Sequence, residues 1–195
     1  KTVIISGSGN VAIYACQKAM EMGAKVVAMQ EKIIPVYKEL KKDGTILVLD
    51  TGYSEDMSLK KHKELIEIAD YYTPNIDETE KLTGTKNYKE ALKILGEYFP
   101  KPIVKLGKFG CAGYDNDYFV VDNIDEFKCV DATGAGDAFL AGFIYGLYND
   151  FDFRKCILAG NITGGKCVTG VGCLTEYITK DEIKDYLQKY IYLVK

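Results

Sequence analysis

The residues with the clearest chemical potential lie in residues 131–137, DATGAGD, which run directly into the apolar residues 138–143. A Gly-x-Gly turn at the start of a helix exposes backbone N–H groups at the positive end of the helix dipole. Such a turn suits a phosphate, or the charge that develops in a transition state. Asp137 falls in the first helical turn, where a carboxylate can accept the proton of a hydroxyl that attacks a phosphoryl group. Taken alone, the same residues are equally consistent with a simple helix cap and turn.

A second candidate segment, residues 73–84 with the sequence TPNIDETEKLTG, opens another helical pattern. Asn75 is a preferred N-cap residue, and Glu78 stands three positions later, where a capping box places its acid. By itself this spacing is more typical of a helix cap than of a binding site. A functional role for the two side chains therefore depends on what accompanies them in the chain.

Both segments resemble signatures of one family. The sequence DATGAGDAFLAGFIYGL closely resembles the C-terminal signature of the ribokinase-like, or PfkB, carbohydrate kinases, and residues 73–84 resemble the family's Asn-x-x-Glu segment. The resemblance implies that Asp137 is the catalytic base of phosphoryl transfer. It also implies that Asn75 and Glu78 lie near the phosphates of ATP, with Glu78 holding Mg²⁺ through water. The implied anion hole is formed by the backbone N–H groups of Gly134, Ala135 and Gly136.

Two further segments extend the resemblance over roughly residues 40–193. Residues 104–114, VKLGKFGCAGY, resemble the family's nucleotide-contacting loop, which implies ATP contacts from Lys105, Gly107 and Gly110. Residues 159–173, AGNITGGKCVTGVGC, resemble the segment that lines the adenine pocket, with Asn161 beside the adenine. In many members this segment also closes a monovalent-cation site, which for K⁺ would here comprise Asp131, Thr133, Cys167, Gly170 and Gly172.

The first 29 residues resemble a different family. They are similar to the dinucleotide-binding start of a glutamate dehydrogenase, with a G-x-G-x-x-A fingerprint formed by Gly7, Gly9 and Ala12. Nothing after Met29 continues a dehydrogenase. The sequence therefore predicts a chimera, in which a βαβ fragment over residues 1–29 is joined to the C-terminal part of a ribokinase-like kinase domain over residues 30–195. Since both pieces are of the α/β type, we expect one continuous globular unit.

The elements that must position these segments follow from the apolar periodicity. Strands are predicted at residues 2–6, 25–29, 45–50 and 102–107, and helical patterns at residues 12–22, 58–70, 77–83 and 88–98. Residues 110–130 are typical of a hairpin, and helices follow from Ala135 onwards. Strands that alternate with helices indicate a three-layer αβα fold with a mostly parallel sheet, truncated relative to ribokinase-like proteins and Rossmann-like at its N-terminus.

Composition narrows the function classes. The chain has 195 residues, 47% hydrophobic and 27% charged, and a formal net charge of −3, so neither nucleic acid nor an anionic membrane is an expected partner. A single histidine, His62, argues against Ser-His-Asp, Cys-His and His-metal chemistry. The six cysteines are scattered without a C-x-x-C pair, which is typical of reduced thiols. A cytoplasmic protein is expected.

Three functions remain open at this point. The first is an ATP-dependent phosphotransferase that acts on a sugar or sugar-like alcohol. The second is a nucleotide-binding chimeric module without turnover, because the family's acceptor-binding half and lid are not recognisable in this chain. The third is an NAD-dependent oxidoreductase fragment carried by residues 1–29. Neither the acceptor nor the oligomeric state can be derived from the sequence.

Overall fold

A computed structural model of the chain describes residues 2–6, 25–29, 34–50, 52–53, 55, 57–60 and 62–194. Its first sheet is parallel, and its strands lie in the order β2-β1-β3-β4. The strands are β1 (Thr2–Ser6), β2 (Lys25–Met29), β3 (Ile46–Leu49) and β4 (Tyr71–Tyr72). A second sheet has the order β5-β6-β7, with β5 at Ile103–Lys105, β6 at Cys111–Asp115 and β7 at Asp117–Val121.

Helices connect and follow these strands. The helices of the first half are α1 (Ile34–Lys42), α2 (Lys63–Ile68), α3 (Ile76–Thr83) and α4 (Tyr88–Leu95). Those of the second half are α5 (Ala135–Tyr148), α6 (Phe153–Cys167) and α7 (Lys180–Tyr190). Short 3₁₀ helices occupy Gly107–Phe109 and Ile191–Val194. No helix among the described residues is long and apolar enough to cross a membrane.

The contacts divide the chain into two compact units. Unit 1 comprises residues 1–107 and 112–119, and unit 2 comprises residues 108–111 and 120–195. In unit 1 the inner residues Leu47 and Leu49 of β3 are 0% and 1% exposed, because β3 lies inside a parallel sheet. They share a core with Tyr37 of α1 and with Tyr72 and Phe99, whose ring centroids are 5.7 Å apart.

Unit 2 is built on a close contact between α5 and α6, in which glycines allow the two backbones to approach. A Cβ atom added to Gly142 of α5 would lie 2.2 Å from Thr163 Oγ1 and 2.3 Å from the carbonyl oxygen of Ala159, both on α6. A Cβ on Gly146 would lie 2.8 Å from the Cα of Cys156. The hydroxyl of Thr163 donates to the carbonyl oxygen of Ala138 at 2.6 Å, which ties α6 to the first turns of α5.

The effect of Gly142→Ala on the free energy of unfolding tests the close packing of α5 and α6. In an open helix, Gly→Ala stabilises by about 1 kcal/mol, because alanine has the higher helix propensity. In Gly142→Ala the added methyl group would overlap the backbone of α6, and overpacking of this kind costs about 1–3 kcal/mol. We therefore expect a lower free energy of unfolding in urea. An unchanged or higher value would contradict the close contact of the two helices.

The predicted strands at residues 2–6, 25–29, 45–50 and 102–107 are confirmed within one or two residues. The hairpin is confirmed as β6 and β7, which turn at Asn116 with φ of +67°. The predicted helix at 12–22 and the fingerprint Gly7, Gly9 and Ala12 lie outside the described residues. The predicted joint after Met29 adjoins residues 30–33, which also lie outside the described residues, although β1 before the joint pairs with β3 after it.

Candidate active site

Unit 1 brings polar side chains together at the carboxyl ends of neighbouring parallel strands. Asp50 directly follows β3, Thr73 follows β4, and Lys105 ends β5. The hydroxyl of Thr73 donates to Asp50 Oδ1 at 3.2 Å, and Lys105 Nζ lies 3.5 Å from the same oxygen. The side chains of Asp50 and Lys105 are only 19% and 14% exposed, so their ion pair is shielded from water. Ligands of α/β proteins commonly bind at this edge of the sheet.

The Asn75–Glu78 segment forms the capping box that its spacing predicts. Asn75 Oδ1 accepts hydrogen bonds from the backbone N–H groups of Asp77 and Glu78, and Glu78 Oε2 accepts from the N–H of Asn75 at 2.8 Å. The segment is fixed to β5 as well, since the N–H of Lys105 donates to the carbonyl oxygen of Pro74 at 2.8 Å. Residues 75, 78 and 105, predicted from separate segments, therefore belong to one cluster.

A capping role alone does not account for the surroundings of Glu78. The residue is only 6% exposed, whereas capping acids at helix N-termini are commonly solvated. Burial raises the pKa of its carboxyl group, and the carboxylate of Asp50 adds to that rise, while the hydrogen bond from Asn75 and the charge of Lys105 oppose it. Perturbed carboxylates of this kind are enriched at functional sites.

The raised pKa of Glu78 predicts that this carboxyl group lowers the stability of the folded chain by an amount that depends on pH. Below about pH 4 the carboxyl group is protonated in both the folded and the unfolded chain, so it favours neither state. As the pH rises, the unfolded chain ionises first, and stability falls until the folded pKa is passed. We expect Glu78→Gln, which keeps the capping acceptor, to unfold at higher urea concentrations than the parent near neutral pH. The difference in urea midpoint between the variant and the parent should decrease towards pH 4.

The exposed Glu80 on the same helix provides the control for this experiment. Its carboxylate lies 3.2 Å from Lys86 Nζ at the surface, so Glu80→Gln should not stabilise the protein near neutral pH. If Glu78→Gln is no more stable than the parent at any pH, then the burial of Glu78 carries no electrostatic cost.

The donor set of unit 1 fits Mg²⁺ bound through water better than direct coordination. Mg²⁺ prefers oxygen ligands and keeps several waters when only one or two carboxylates are in reach. Asp50 and Glu78 supply such carboxylates. Among the described residues, no group of three or more His, Cys, Asp or Glu side chains is placed to hold a metal ion. A cleft of about 590 Å³ lies beside this cluster and is lined by Tyr53, Asn75, Asp77, Glu80 and Lys81.

Unit 2 contains the glycine turn, and α5 begins where the sequence predicts. Gly134 is the N-cap with φ of +81°, a left-handed conformation that favours glycine, and Asp137 is the acid of the first turn. The N–H of Ala135 donates to the carbonyl oxygen of Ala132 at 3.2 Å, so it is engaged within the turn. Gly136 and Asp137 follow in the first turn of α5, at the positive end of the helix dipole.

The turn is anchored by Asp131. Its Oδ1 accepts from the N–H and hydroxyl of Thr133 at 3.0 and 2.8 Å, and its Oδ2 accepts from the N–H of Gly172 at 2.8 Å. These bonds to the charged form lower the pKa of Asp131. The thiol of Cys167 lies 3.7 Å from the carbonyl oxygen of Thr133. Four of the five predicted cation-site residues are thereby brought together, and Gly170 lies between Cys167 and Gly172 in the chain.

Two of the remaining predicted nucleotide-site residues, Asn161 and Gly110, lie in unit 2 and meet at the end of β7. Asn161 is 5% exposed, and its Nδ2 donates to the carbonyl oxygens of Val121 and Asp122 at 2.8 and 3.1 Å. Gly110, with φ of +88°, packs on the same backbone, since an added Cβ would lie 2.1 Å from the Val121 oxygen. Gly107 also has positive φ, at +59°, but an added Cβ would meet nothing within 4 Å.

Sequence reasoning did not identify three residues of these clusters: Asp50, Thr73 and Cys173. Asp50 and Thr73 each stand directly after a strand, and the carboxyl ends of adjacent parallel strands share one edge. That signal was available in the sequence. Cys173 carries no comparable signal, because its place beside Gly134 depends on how residues 168–173 fold back.

Comparisons with known proteins identify related sequences. The sequence profile of the pfkB family carbohydrate kinases matches residues 11–180. A nucleoside kinase of Methanocaldococcus jannaschii is 30% identical over 142 residues, which are 71% of this chain and 44% of that protein. A 5-dehydro-2-deoxygluconokinase of Clostridium perfringens is 26% identical over 192 residues, which are 88% of this chain and 55% of that protein. The chain spans about half the length of the curated relatives it matches.

A solved structure supports the fold. Arabidopsis thaliana ribokinase, in complex with ribose and ATP, superimposes with a TM-score of 0.72 at 24% identity, covering 84% of this chain and 55% of that chain. This likeness confirms the predicted α/β fold with a mostly parallel sheet. The profile match begins at residue 11, inside the segment that resembles a dehydrogenase.

Proposed function

The chain belongs to the PfkB family of carbohydrate kinases, and we propose that it carries the nucleotide-binding and phosphoryl-transfer part of an ATP-dependent kinase for a sugar or nucleoside hydroxyl. The observation that carries this proposal is the start of α5, where a left-handed Gly134 precedes Asp137 in the first helical turn. A helix N-terminus with an adjacent carboxylate supplies both an anion site and a proton acceptor.

Asp137 is the proposed catalytic base. Its carboxylate accepts the proton of the acceptor hydroxyl as the oxygen of that hydroxyl attacks the γ-phosphorus of ATP, and ADP leaves. The backbone N–H groups of the turn stabilise the charge on the transferring phosphoryl group, with Gly134, Ala135 and Gly136 as the proposed donors. Of these, the N–H of Ala135 would have to give up its hydrogen bond to the carbonyl oxygen of Ala132 in order to donate to a phosphoryl oxygen.

The cluster in unit 1 is proposed to bind the Mg²⁺-bound phosphates. When bound, Mg²⁺ neutralises phosphate charge and orients the phosphate chain. Glu78 uses Oε2 for the capping box, so we assign Oε1 as the acceptor for metal-bound water. Asp50 is a second acceptor, while Lys105 holds Asp50 in place and contributes positive charge towards the phosphates.

The adenine and a monovalent cation are assigned to other residues. Gly107 of unit 1, and Gly110 and Asn161 of unit 2, are proposed as nucleotide contacts, and Gly110 and Asn161 contact the same end of β7. For K⁺, oxygen donors from residues 131–133 and 167–172 are proposed. Asp131 organises both stretches through its bonds to Thr133 and Gly172.

A nucleotide-binding module without turnover is the second candidate. No described residue is assigned here to bind an acceptor, so nucleotide binding without transfer is the alternative to test. A coupled assay for ADP release over a panel of sugars and nucleosides distinguishes the two. Acceptor-dependent ADP release supports the kinase, whereas nucleotide binding without release with any acceptor supports the module.

The origin of residues 1–29 is a separate proposal. The parallel pairing of β1 with β2 is compatible with the predicted dehydrogenase-type βαβ fragment, and equally with a strand pair of the kinase fold. The profile match from residue 11 favours the kinase fold over a chimera or an NAD-dependent oxidoreductase fragment. Enhancement of NADH fluorescence on mixing with the protein would support dinucleotide binding, and its absence would remove the oxidoreductase candidate.

A further inference from the structure

Two cysteines lie against the glycine turn that starts α5. A Cβ atom built on Gly134 would stand 2.3 Å from the Cβ of Cys173 and 3.7 Å from the Sγ of Cys167. Both cysteines are therefore neighbours of the same point on the turn. Five cysteines lie in the described part of the chain and all are free thiols; Cys111 and Cys156 are buried elsewhere, and Cys129 is exposed.

The two thiols differ in access. Cys167, near the end of α6, is 3% exposed, and its Sγ lies 3.7 Å from the carbonyl oxygen of Thr133 and 3.9 Å from that of Cys173. Cys173 is partly exposed. A reagent from solution therefore has better access to Cys173 than to Cys167, whose sulfur lies close to the backbone of Cys173.

The segment between the two cysteines is linked to the anchor of the turn. The N–H of Gly172, next to Cys173, donates to Asp131 Oδ2, and Asp131 holds Thr133 through two further hydrogen bonds. Gly172 has φ of +79°, and an added Cβ would meet nothing within 4 Å, so the space beside this residue is open. A displacement of Cys173 would therefore alter the hydrogen bond between Gly172 and Asp131 and the contact with Gly134.

We propose that Cys173 is a covalent modification site for low-molecular-weight disulfides and that Cys167 is its resolving thiol. The Cys173 sulfur attacks one sulfur of the disulfide RSSR, so a Cys173–S–SR bond forms and one RSH leaves with the proton. The Cys167 sulfur then attacks Cys173 Sγ, forming the Cys167–Cys173 disulfide and releasing a second RSH. Two protein thiols are oxidised, and one RSSR is reduced to two RSH.

The effect on the anion site rests on the proposed function. A group on Cys173 Sγ adds bulk beside Gly134, and the resolved disulfide joins the two residues that contact this part of the turn. Either product disturbs the Gly172–Asp131 hydrogen bond and the N–H groups that would face the phosphoryl group. Hydrogen bonds to charged groups are stronger than those between neutral groups. We therefore expect oxidation to raise the Kd for an ATP analogue by about tenfold or more.

The test uses oxidised glutathione as the probe and intact mass as the first measurement. In the parent, the peptide that carries residues 167 and 173 should gain one glutathionyl group and then lose it, ending two hydrogens lighter with the two residues linked. Cys167→Ser should stop at the mixed disulfide on Cys173, and Cys173→Ser should show neither product at this site. Cys129→Ser, which removes the exposed thiol outside the pair, should give the same products at residues 167 and 173 as the parent. Modification confined to Cys129, or a stable adduct at Cys173 in the parent, would overturn the proposal.

Calorimetry with Mg²⁺ and a non-hydrolysable ATP analogue is the second measurement. Oxidation should weaken binding to the parent and to Cys129→Ser but not to Cys173→Ser, and dithiothreitol should restore it. Equal affinity for the oxidised and reduced parent would contradict the link to the anion site. If the reduced protein does not bind the analogue, the proposed function fails, and the mass measurement still decides the chemistry of the thiol pair.

Discussion

Replacing Asp137 with asparagine is expected to lower the rate of phosphoryl transfer by about 10²–10⁴-fold, the usual cost of removing a general base. Asparagine keeps the shape of the first turn of α5 and its N–H groups, so nucleotide binding should be nearly unchanged. The loss should therefore appear in kcat rather than in the KM for ATP. The measurement is coupled ADP release with whichever acceptor the parent turns over.

A carboxylate far from the turn provides the control. Asp185 is exposed on α7, and Asp185→Asn should keep the parent rate. If Asp137→Asn releases ADP as fast as the parent with the same acceptor, Asp137 is not the base. If kcat and the affinity for ATP fall together, its role is in binding or folding instead.

Gly134→Ala is expected to cost about 2–5 kcal/mol of stability, from about 1–2 kcal/mol for a left-handed alanine and about 1–3 kcal/mol for overpacking. The first cost follows from φ of +81°, and the second from a Cβ that would lie 2.3 Å from the Cβ of Cys173. Because the chain must move at the turn itself, binding of an ATP analogue should weaken as well. Urea unfolding and calorimetry measure the two effects.

Gly84 offers a matched comparison at the end of α3. Its φ is +78°, but an added Cβ would meet nothing within 4 Å, so Gly84→Ala isolates the conformational cost of about 1–2 kcal/mol. Nucleotide binding should survive in this variant. Equal losses of stability in the two variants would show that Cys173 does not press on the turn.

Local sequence signals were sufficient for the features that depend on local chemistry. The capping box of Asn75 and Glu78 and the start of α5 at the glycine turn both follow from residue types at fixed spacing, and both occur as predicted. The buried strand β3 likewise follows from an unbroken apolar run. Such signals need no knowledge of which element packs against which.

The features that sequence reasoning missed depend on long-range pairing. Asp50 becomes part of a cluster only because the fold brings Thr73, which follows β4, and Lys105, at the end of β5, to its carboxylate. The burial of Glu78, and hence its raised pKa, likewise depends on its surroundings in the folded chain. The contact of Cys173 with Gly134 requires residues 168–173 to fold back over the turn. Position directly after a strand marks Asp50 and Thr73 as candidates, but no periodicity or spacing specifies the neighbours of Glu78 or Cys173.

Calorimetric titration of the chain with a non-hydrolysable ATP analogue, with and without Mg²⁺, tests the central claim most directly. Nucleotide binding is required of both the kinase and the module without turnover, and it does not need the acceptor. The account predicts saturable binding at one site that is strengthened by Mg²⁺, and weaker Mg²⁺ dependence in Glu78→Gln. The absence of binding by the folded, reduced chain would contradict it.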